Sequence, residues 1–369
     1  MPVQPARTGR LVDGPRIASI AYEAALSSTE NPMKILGAAT AAALLFGPCA
    51  ASAQSDFFKS KTLEVLVGFS AGGGYDAYGR ALARFYGNHI PGNPTVVVRN
   101  MPGAGSLGMV NHINAVAPKN GLTIGIFDPS LIIAPLLGGS NANYDASKLT
   151  WIGSMAGGTN VCITWHASPV KSFADLIGSA APLPFGTTGP ADSRYQHTAI
   201  LRNMFGANIK IISGYTGSSE VRLAMARGEI VGNCGDSWSS LKSTAADWLR
   251  DKQINIVAQF AVEKHPELAN VPLIVDQAKS ELQKAALRLL LGPQVSGRPF
   301  IAPPGVSAEN TAMLRRAFDA TMKDPEFLAA ANKMNLEIEP ATGEAVEKLV
   351  ADIYKTPAEA VAAAREAIK

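Results

Sequence analysis

Cysteine is scarce in this chain, three in 369 residues, which excludes a small fold stapled by a dense disulfide framework. Histidine is scarce as well. His89, His112, His166, His197 and His265 are the only five, and none has the short spacing to a second ligand that a zinc site needs, so no metal and no cofactor is expected. A surplus of one charge is also missing. Of 33 basic and 30 acidic residues, Arg7, Arg10, Arg16 and Lys34 on one side and Asp13, Glu23 and Glu30 on the other fall in the first 53, leaving 29 against 27. So even a balance, with no basic stripe, argues against nucleic acid as a partner. Beyond residue 53 no apolar run approaches the roughly 20 residues of a membrane-spanning helix.

One apolar stretch does stand out near the start. From Met33 the chain reads Met-Lys-Ile-Leu-Gly-Ala-Ala-Thr-Ala-Ala-Ala-Leu-Leu-Phe and then reaches Ala51-Ser52-Ala53. A positive charge, a short apolar core and a small-x-small site are the parts of a cleaved secretory signal peptide. Residues 1–32 are polar and aperiodic, and are read with it as an upstream extension. Cys49 invites a lipid anchor, but it follows Phe46-Gly47-Pro48, not the small residues of a lipobox. The expectation is a soluble exported chain beginning near Gln54, in the periplasm. An oxidising compartment permits Cys162 and Cys234 to pair; two lone cysteines in strand-like runs fit buried small hydrophobes equally well.

The remaining 316 or so residues exceed what one core usually supports, about 250–300. Their rhythm alternates β-rich runs with helical periods. Leu63–Val67 reads as a strand and Asp76–Tyr86 as a helix with Ala77, Leu82, Ala83 and Phe85 inward; Thr95–Val98 reads as the next strand. Further strands are expected at 122–126, 151–153, 161–165, 209–212 and 254–257. Ser307 starts a helix that Asp324-Pro325 stops or kinks, and a last helix runs from about Gly343 to the end. Such spacing predicts mainly parallel sheets covered by helices on both faces. Two α/β lobes are expected: residues 54–154 and 269–369 form the first, and 155–268 the second.

Gly68-Phe69-Ser70-Ala71-Gly72-Gly73-Gly74-Tyr75-Asp76 lies between the first strand and the first helix. In open α/β sheets ligands bind beyond the carboxyl ends of strands, where a helix presents unpaired N–H groups and positive dipole character. Three glycines let that backbone approach a ligand and adopt positive φ, so a carboxylate or phosphate is the natural guest. No Gly-Lys-Ser/Thr follows, and a third spaced glycine is absent, so neither a P-loop nor a dinucleotide fingerprint is present. Gly68-x-Ser70-x-Gly72 does match the nucleophile elbow of α/β-hydrolases, which makes an esterase using Ser70 the competing expectation. Too little chain precedes it, however, for the strands and oxyanion loop such an elbow requires.

Read together, Phe69–Asp76, Val98-Arg99-Asn100-Met101-Pro102-Gly103-Ala104-Gly105-Ser106-Leu107-Gly108, Pro118–Thr123, Phe185-Gly186-Thr187-Thr188-Gly189, Arg227–Gly232 and Ile301-Ala302-Pro303-Pro304-Gly305 resemble the receptor proteins of tripartite tricarboxylate transporters, the Bug family. Met101 stands where the family usually has arginine, and Lys119-Asn120-Gly121-Leu122 where it has Asp-Gly-Tyr. The resemblance implies a periplasmic-binding-protein type II fold, two α/β lobes with a hinge and an interlobe cleft. It also implies a non-enzymatic receptor that captures a small organic carboxylate as a monomer and delivers it to the membrane components of a secondary transporter. In such receptors backbone amides and hydroxyls hold the anion, which here points to Ser70, Ala71, Gly72, Gly73, Gly74, Tyr75 and Asp76 in one lobe and Thr187, Thr188 and Gly189 in the other. Neutral dipoles avoid the desolvation cost of a buried cation. Asp76 serves as ligand contact, as loop-ordering group or as plain helix partner. Ser130 and Asp236 follow strand ends at the expected cleft, and Ser193 matches a family serine at a helix start. Tyr75, Phe127 and Trp238 are candidate aromatic walls, favouring a guest with an apolar body.

Overall fold

The computed structural model describes residues 57–138 and 141–369. The leader, its cleavage site, Cys49 and the start at Gln54 lie outside the described residues. The first strand, β1 (Thr62–Val67), leads to α1 (Gly74–Tyr86), β2 (Thr95–Asn100), α2 (Leu107–Ala115), β3 (Thr123–Ile126), α3 (Ala134–Leu137) and β4 (Thr150–Ser154). Then come β5 (Asn160–Trp165), α4 (Phe173–Gly178), β6 (Leu183–Thr187), α5 (Ser193–Asn203), β7 (Ile209–Ser213), α6 (Ser218–Ala226), β8 (Gly232–Ser237), α7 (Trp238–Thr244), α8 (Ala246–Arg250) and β9 (Ile254–Phe260). The chain closes with α9 (Glu281–Leu291), β10 (Pro299–Ala302), α10 (Ala308–Thr321), α11 (Pro325–Lys333), β11 (Ala341–Thr342), α12 (Gly343–Ile353) and α13 (Ala358–Ala367).

Two sheets result. One has the order β11-β4-β10-β3-β1-β2 and the other β7-β6-β8-β5-β9. They are more mixed than the strand–helix alternation predicts. β1 runs parallel to β2 and β3, but β10 is antiparallel to both its neighbours, β3 and β4. In the second sheet β6 is parallel to β7 and β8, whereas β5 is antiparallel to β8 and β9. β10 and β5 are the strands by which the chain enters each sheet after crossing from the other, where no βαβ unit dictates direction, and the short β11 is also antiparallel to its neighbour β4.

Local sequence explains the elements closely. β1 lies inside its sheet, and Leu63, Val65, Leu66 and Val67 are fully buried, as a strand covered on both faces requires. The inward face of α1 is Tyr78, Ala81, Leu82 and Phe85; Ala77 and Ala83 are only half-buried. Tyr78 displaces them because its hydroxyl donates to the Glu337 carbonyl at 3.0 Å while its ring fills the core. Ser307 caps α10 as expected, but Asp324 opens a new helix by accepting from the Glu326 N–H at 2.8 Å, with Pro325 as its first residue. Pro357 likewise divides the expected last helix into α12 and α13. A disulfide joins Cys162 of β5 to Cys234 of β8, across neighbouring strands.

Candidate functional site

The glycine loop is ordered from behind by α1 itself. One oxygen of Asp76 accepts from the Gly72 N–H and from Arg80 Nε, both at 2.9 Å; the other accepts from Asn100 Nδ2 at 2.9 Å. Asn100, at the end of β2, also donates to the Phe69 carbonyl at 2.9 Å. Burial alone would raise the Asp76 pKa, but Arg80 and the Gly72 N–H outweigh it and hold the carboxyl below its ordinary value. Asp76 is therefore the loop-ordering group, and the Gly72 N–H is engaged inside the loop. Gly72 has φ of +82°, which glycine alone adopts freely. Gly73, at −87°, needs no such freedom. It is the N-cap residue of α1, with no side-chain cap, so the dipole end of a 13-residue helix is left without a side-chain acceptor. Gly74 is glycine for want of space: a Cβ there would lie 1.8 Å from Ser240 Oγ.

The ends of the two sheets face each other along this loop. Ser70 N donates to the Thr216 carbonyl at 3.1 Å, and Ser70 Oγ donates to Glu220 Oε2 at 2.9 Å. Where an esterase needs an imidazole, Ser70 Oγ meets the Glu220 carboxylate and no histidine, so the Ser–His arrangement of the esterase expectation is absent. Gly189 lies against the backbone of Ala104 and Gly105, where a Cβ would approach to 2.6 Å. Residues Gly103, Ala104, Gly105 and Ser106 all have positive φ. Ala104 and Ser106 pay strain there, about 1–3 kcal/mol each, and Ser106 Oγ holds the bend by accepting from the Asp128 N–H at 3.1 Å.

Asp128 is the principal polar bridge between the sheets. Its carboxylate accepts from Ser193 N at 3.1 Å, Ser193 Oγ at 2.5 Å, Ser130 N at 2.9 Å and the Tyr75 hydroxyl at 3.3 Å. Ser193 thus meets a carboxylate of the first sheet, a role beyond helix capping. Asp192 caps α5 by accepting from the Tyr195 N–H. Burial, and then the charge of Asp128, push its pKa up to about 7. The same burial, reinforced by Asp128, raises that of the Tyr75 phenol well above its ordinary value.

Several expected residues are placed differently. Asp236 is buried in an ion-pair cluster, 2.8 Å from Arg194 and 3.1 Å from Arg222. Burial would raise its pKa, but the arginines, Arg222 foremost, hold it below the usual value. Thr187 Oγ1 shares a hydrogen bond with Ser213 Oγ at 2.8 Å. The hydroxyls of Ser130 and Thr188, by contrast, are buried and have no hydrogen-bond partner. Orphaned buried hydroxyls are uncommon and ask for a guest. Ala71 is exposed on the loop. Of the aromatic candidates only Tyr75 adjoins the glycine loop, stacked on Phe69 at 4.7 Å. Phe127 is fully buried, its ring 6.0 Å from that of Trp151, and Trp238 turns to Glu267.

Sequence spacing missed Asp128, Asp192, Glu220, Ser240 and Arg298, because they come from five separate places in the chain: the end of β3, the cap of α5, α6, α7 and the segment before β10. It also missed a grouping remote from the loop: His265, Glu267 and Glu337 hold ligand atoms within 4.8 Å of one another. Lys242 already pairs with both glutamates there, so no vacant charge calls for a metal. A cavity of about 410 Å³ opens at one end of the interface, between Leu137, Ala191, Tyr195 and Arg365. No residue of the glycine loop lines it; a smaller cavity of about 280 Å³ adjoins Gly72, between Ser219, Arg222 and Thr244.

Comparisons with known proteins place the chain by family and fold. A family model described as the tripartite tricarboxylate transporter family receptor matches residues 89–363. A protein of Cupriavidus necator described as a UPF0065 protein in the gbd 5′ region is 24% identical over 307 residues, 81% of this chain and 86% of its own length. The solved structure of the periplasmic binding protein BugD superposes with a TM-score of 0.66 at 19% identity, covering 81% of this chain and 95% of BugD. MatC from Rhodopseudomonas palustris, solved with bound malate, gives a TM-score of 0.64 at 17% identity, covering 84% and 99%.

Proposed function

The chain belongs to the tripartite tricarboxylate transporter receptor family, and from that premise we propose that it is a periplasmic receptor which closes two lobes on a small organic carboxylate. A solute-binding role, not catalysis, goes with that family and with the fold. The observation that carries the carboxylate reading is the start of α1, a helix dipole without a side-chain cap behind a glycine loop; the buried, unpartnered hydroxyl of Thr188 is a second group without an acceptor or donor of its own. Such a terminus stabilises an anion by preoriented N–H groups. We assign ligand contact to Ser70, Gly73, Gly74 and Tyr75 on one side and to Thr188, Gly189 and Ser130 on the other. Asp76, Asp128 and Ser193 serve as positioning groups.

We set the lobe boundaries near residues 155 and 268, in the segments joining β4 to β5 and β9 to α9. Malate is bound by MatC, which makes hydroxy- and dicarboxylates the first guests to try. Export through the leader ahead of Gln54, action as a monomer and delivery to membrane transport components complete the proposal.

The test is thermal unfolding with mono-, di- and tricarboxylates, because a ligand that binds only the native state raises apparent stability by mass action, about 2.7 kcal/mol at a hundred times Kd. A rise with one acid and none with the corresponding alcohol is expected; no rise with any carboxylate overturns the reading.

A further inference from the structure

Three arginines are buried among the described residues: Arg194, Arg222 and Arg298. The first two share the carboxylate of Asp236. Arg298, only 2% exposed, has no carboxylate within 4 Å among the described residues. Its Nη1 donates to the Gly297 carbonyl at 2.9 Å, and its Nη2 to Ser240 Oγ at 2.8 Å and Ser239 Oγ at 3.4 Å, while Nε has no partner. The guanidinium lies over the rings of Tyr75 and Tyr78, at 4.6 and 4.8 Å from their centroids. Those contacts do not settle its charge. A cation–π contact contributes about 0.5–2 kcal/mol, whereas an ion taken out of water costs several kcal/mol even after relaxation.

The location of this uncompensated charge is informative. Arg298 sits in the segment that leads into β10, and its Nη2 would be 3.6 Å from a Cβ on Gly74, the first residue of α1. The guanidinium and the uncapped N-terminus of α1 therefore converge on one place. Nearby, Gln294 Nε2 and Ser296 Oγ, from the turn Gly292–Ser296, are also buried without partners. Asp128 does not answer the charge directly, being engaged by Ser193, Ser130 and Tyr75.

We infer that Arg298 is the counter-ion of a ligand carboxylate bound at the start of α1, so that this receptor holds its anion with a buried positive charge and not by neutral dipoles alone. This rests on the carboxylate reading above and adds the residue that distinguishes a carboxylate from its neutral isostere. A neutral-dipole site discriminates the two weakly; a desolvated guanidinium does so strongly, because a carboxamide leaves it unpaired.

Calorimetry tests this with wild type, Arg298→Gln and Arg298→Lys against succinate, adipate, malate, citrate and benzoate, each beside the neutral amide in which every carboxylate is replaced by a carboxamide. Wild type is expected to prefer an acid over its amide by about thirty-fold or more, as truncation of a buried charge pair predicts. Arg298→Gln should lose about that factor on the acid and little on the amide, and Arg298→Lys should retain part of the preference. Without added acid, Arg298→Gln should melt no lower than wild type, since the change removes an unpaired buried charge. Equal losses on acid and amide, or an unchanged acid affinity, overturn the inference while leaving the carboxylate reading intact. So does a drop in melting temperature in Arg298→Gln together with wild-type acid affinity in Arg298→Lys, which would make Arg298 a structural strut. A wild type that binds none of the acids overturns the reading and the inference together.

Discussion

At the scale of single residues, the orphaned hydroxyl of Thr188 gives the sharpest expectation. Thr188 Oγ1 makes no hydrogen bond in the folded chain, so Thr188→Ala should leave the melting temperature within about a degree of wild type. Carboxylate binding should weaken by about 1–2 kcal/mol, the worth of one hydrogen bond to a charged group; isothermal calorimetry beside a thermal scan separates the two effects. Asp192 makes a pH prediction. Its folded pKa stands at about 7 against an ordinary 3.8, so folding takes up a proton there. That contribution is complete below the ordinary value and is lost as pH rises towards 7. Asp192→Asn keeps the helix cap but removes the titration, so the variant should melt above wild type at pH 8 and close to it at pH 4. Parallel slopes for both proteins across that range would contradict the buried acid.

Among elements, the glycine loop illustrates what a sequence can and cannot convey. Its place between β1 and α1 follows from the strand pattern and the glycine run, and so does its helix-terminus chemistry. Which glycine matters for which reason does not. Gly72 answers to a backbone angle and Gly74 to Ser240, a residue 166 positions later in the chain. Partners such as Asp128, Asp192 and Arg298 carry no local signature either, because only the sheet order brings them together. Gly74→Ala should be harmless to α1, since alanine favours helix, yet its methyl would meet Ser240 when the sheets approach. Ligand affinity should fall, and the companion change Ser240→Gly should restore it; failure of that rescue would show that the loop and α7 do not close on each other. The disulfide between β5 and β8 links residues 72 apart, which should stabilise the second sheet by about 2–5 kcal/mol. Cys162→Ser with Cys234→Ser, followed by denaturant unfolding, measures it.

For the whole molecule, direct contacts between the sheets at Ser70, Asp128 and Gly189 describe an approach that a ligand would reinforce, because groups from both sides complete its surroundings only when the sheets meet. Small-angle scattering should record a smaller radius of gyration at saturating carboxylate, and an unchanged profile would argue for a preformed, static site. The order of strands has a further consequence, for synthesis. β10 lies between β3 and β4 but is made after the whole second sheet. Until Pro299–Ala302 has left the ribosome, the first sheet is split down its middle, with β1, β2 and β3 on one side and β4 on the other. A nascent chain of this topology stays unfinished through four-fifths of its length, which suits the proposed export, in which a polypeptide is threaded through a membrane before it folds.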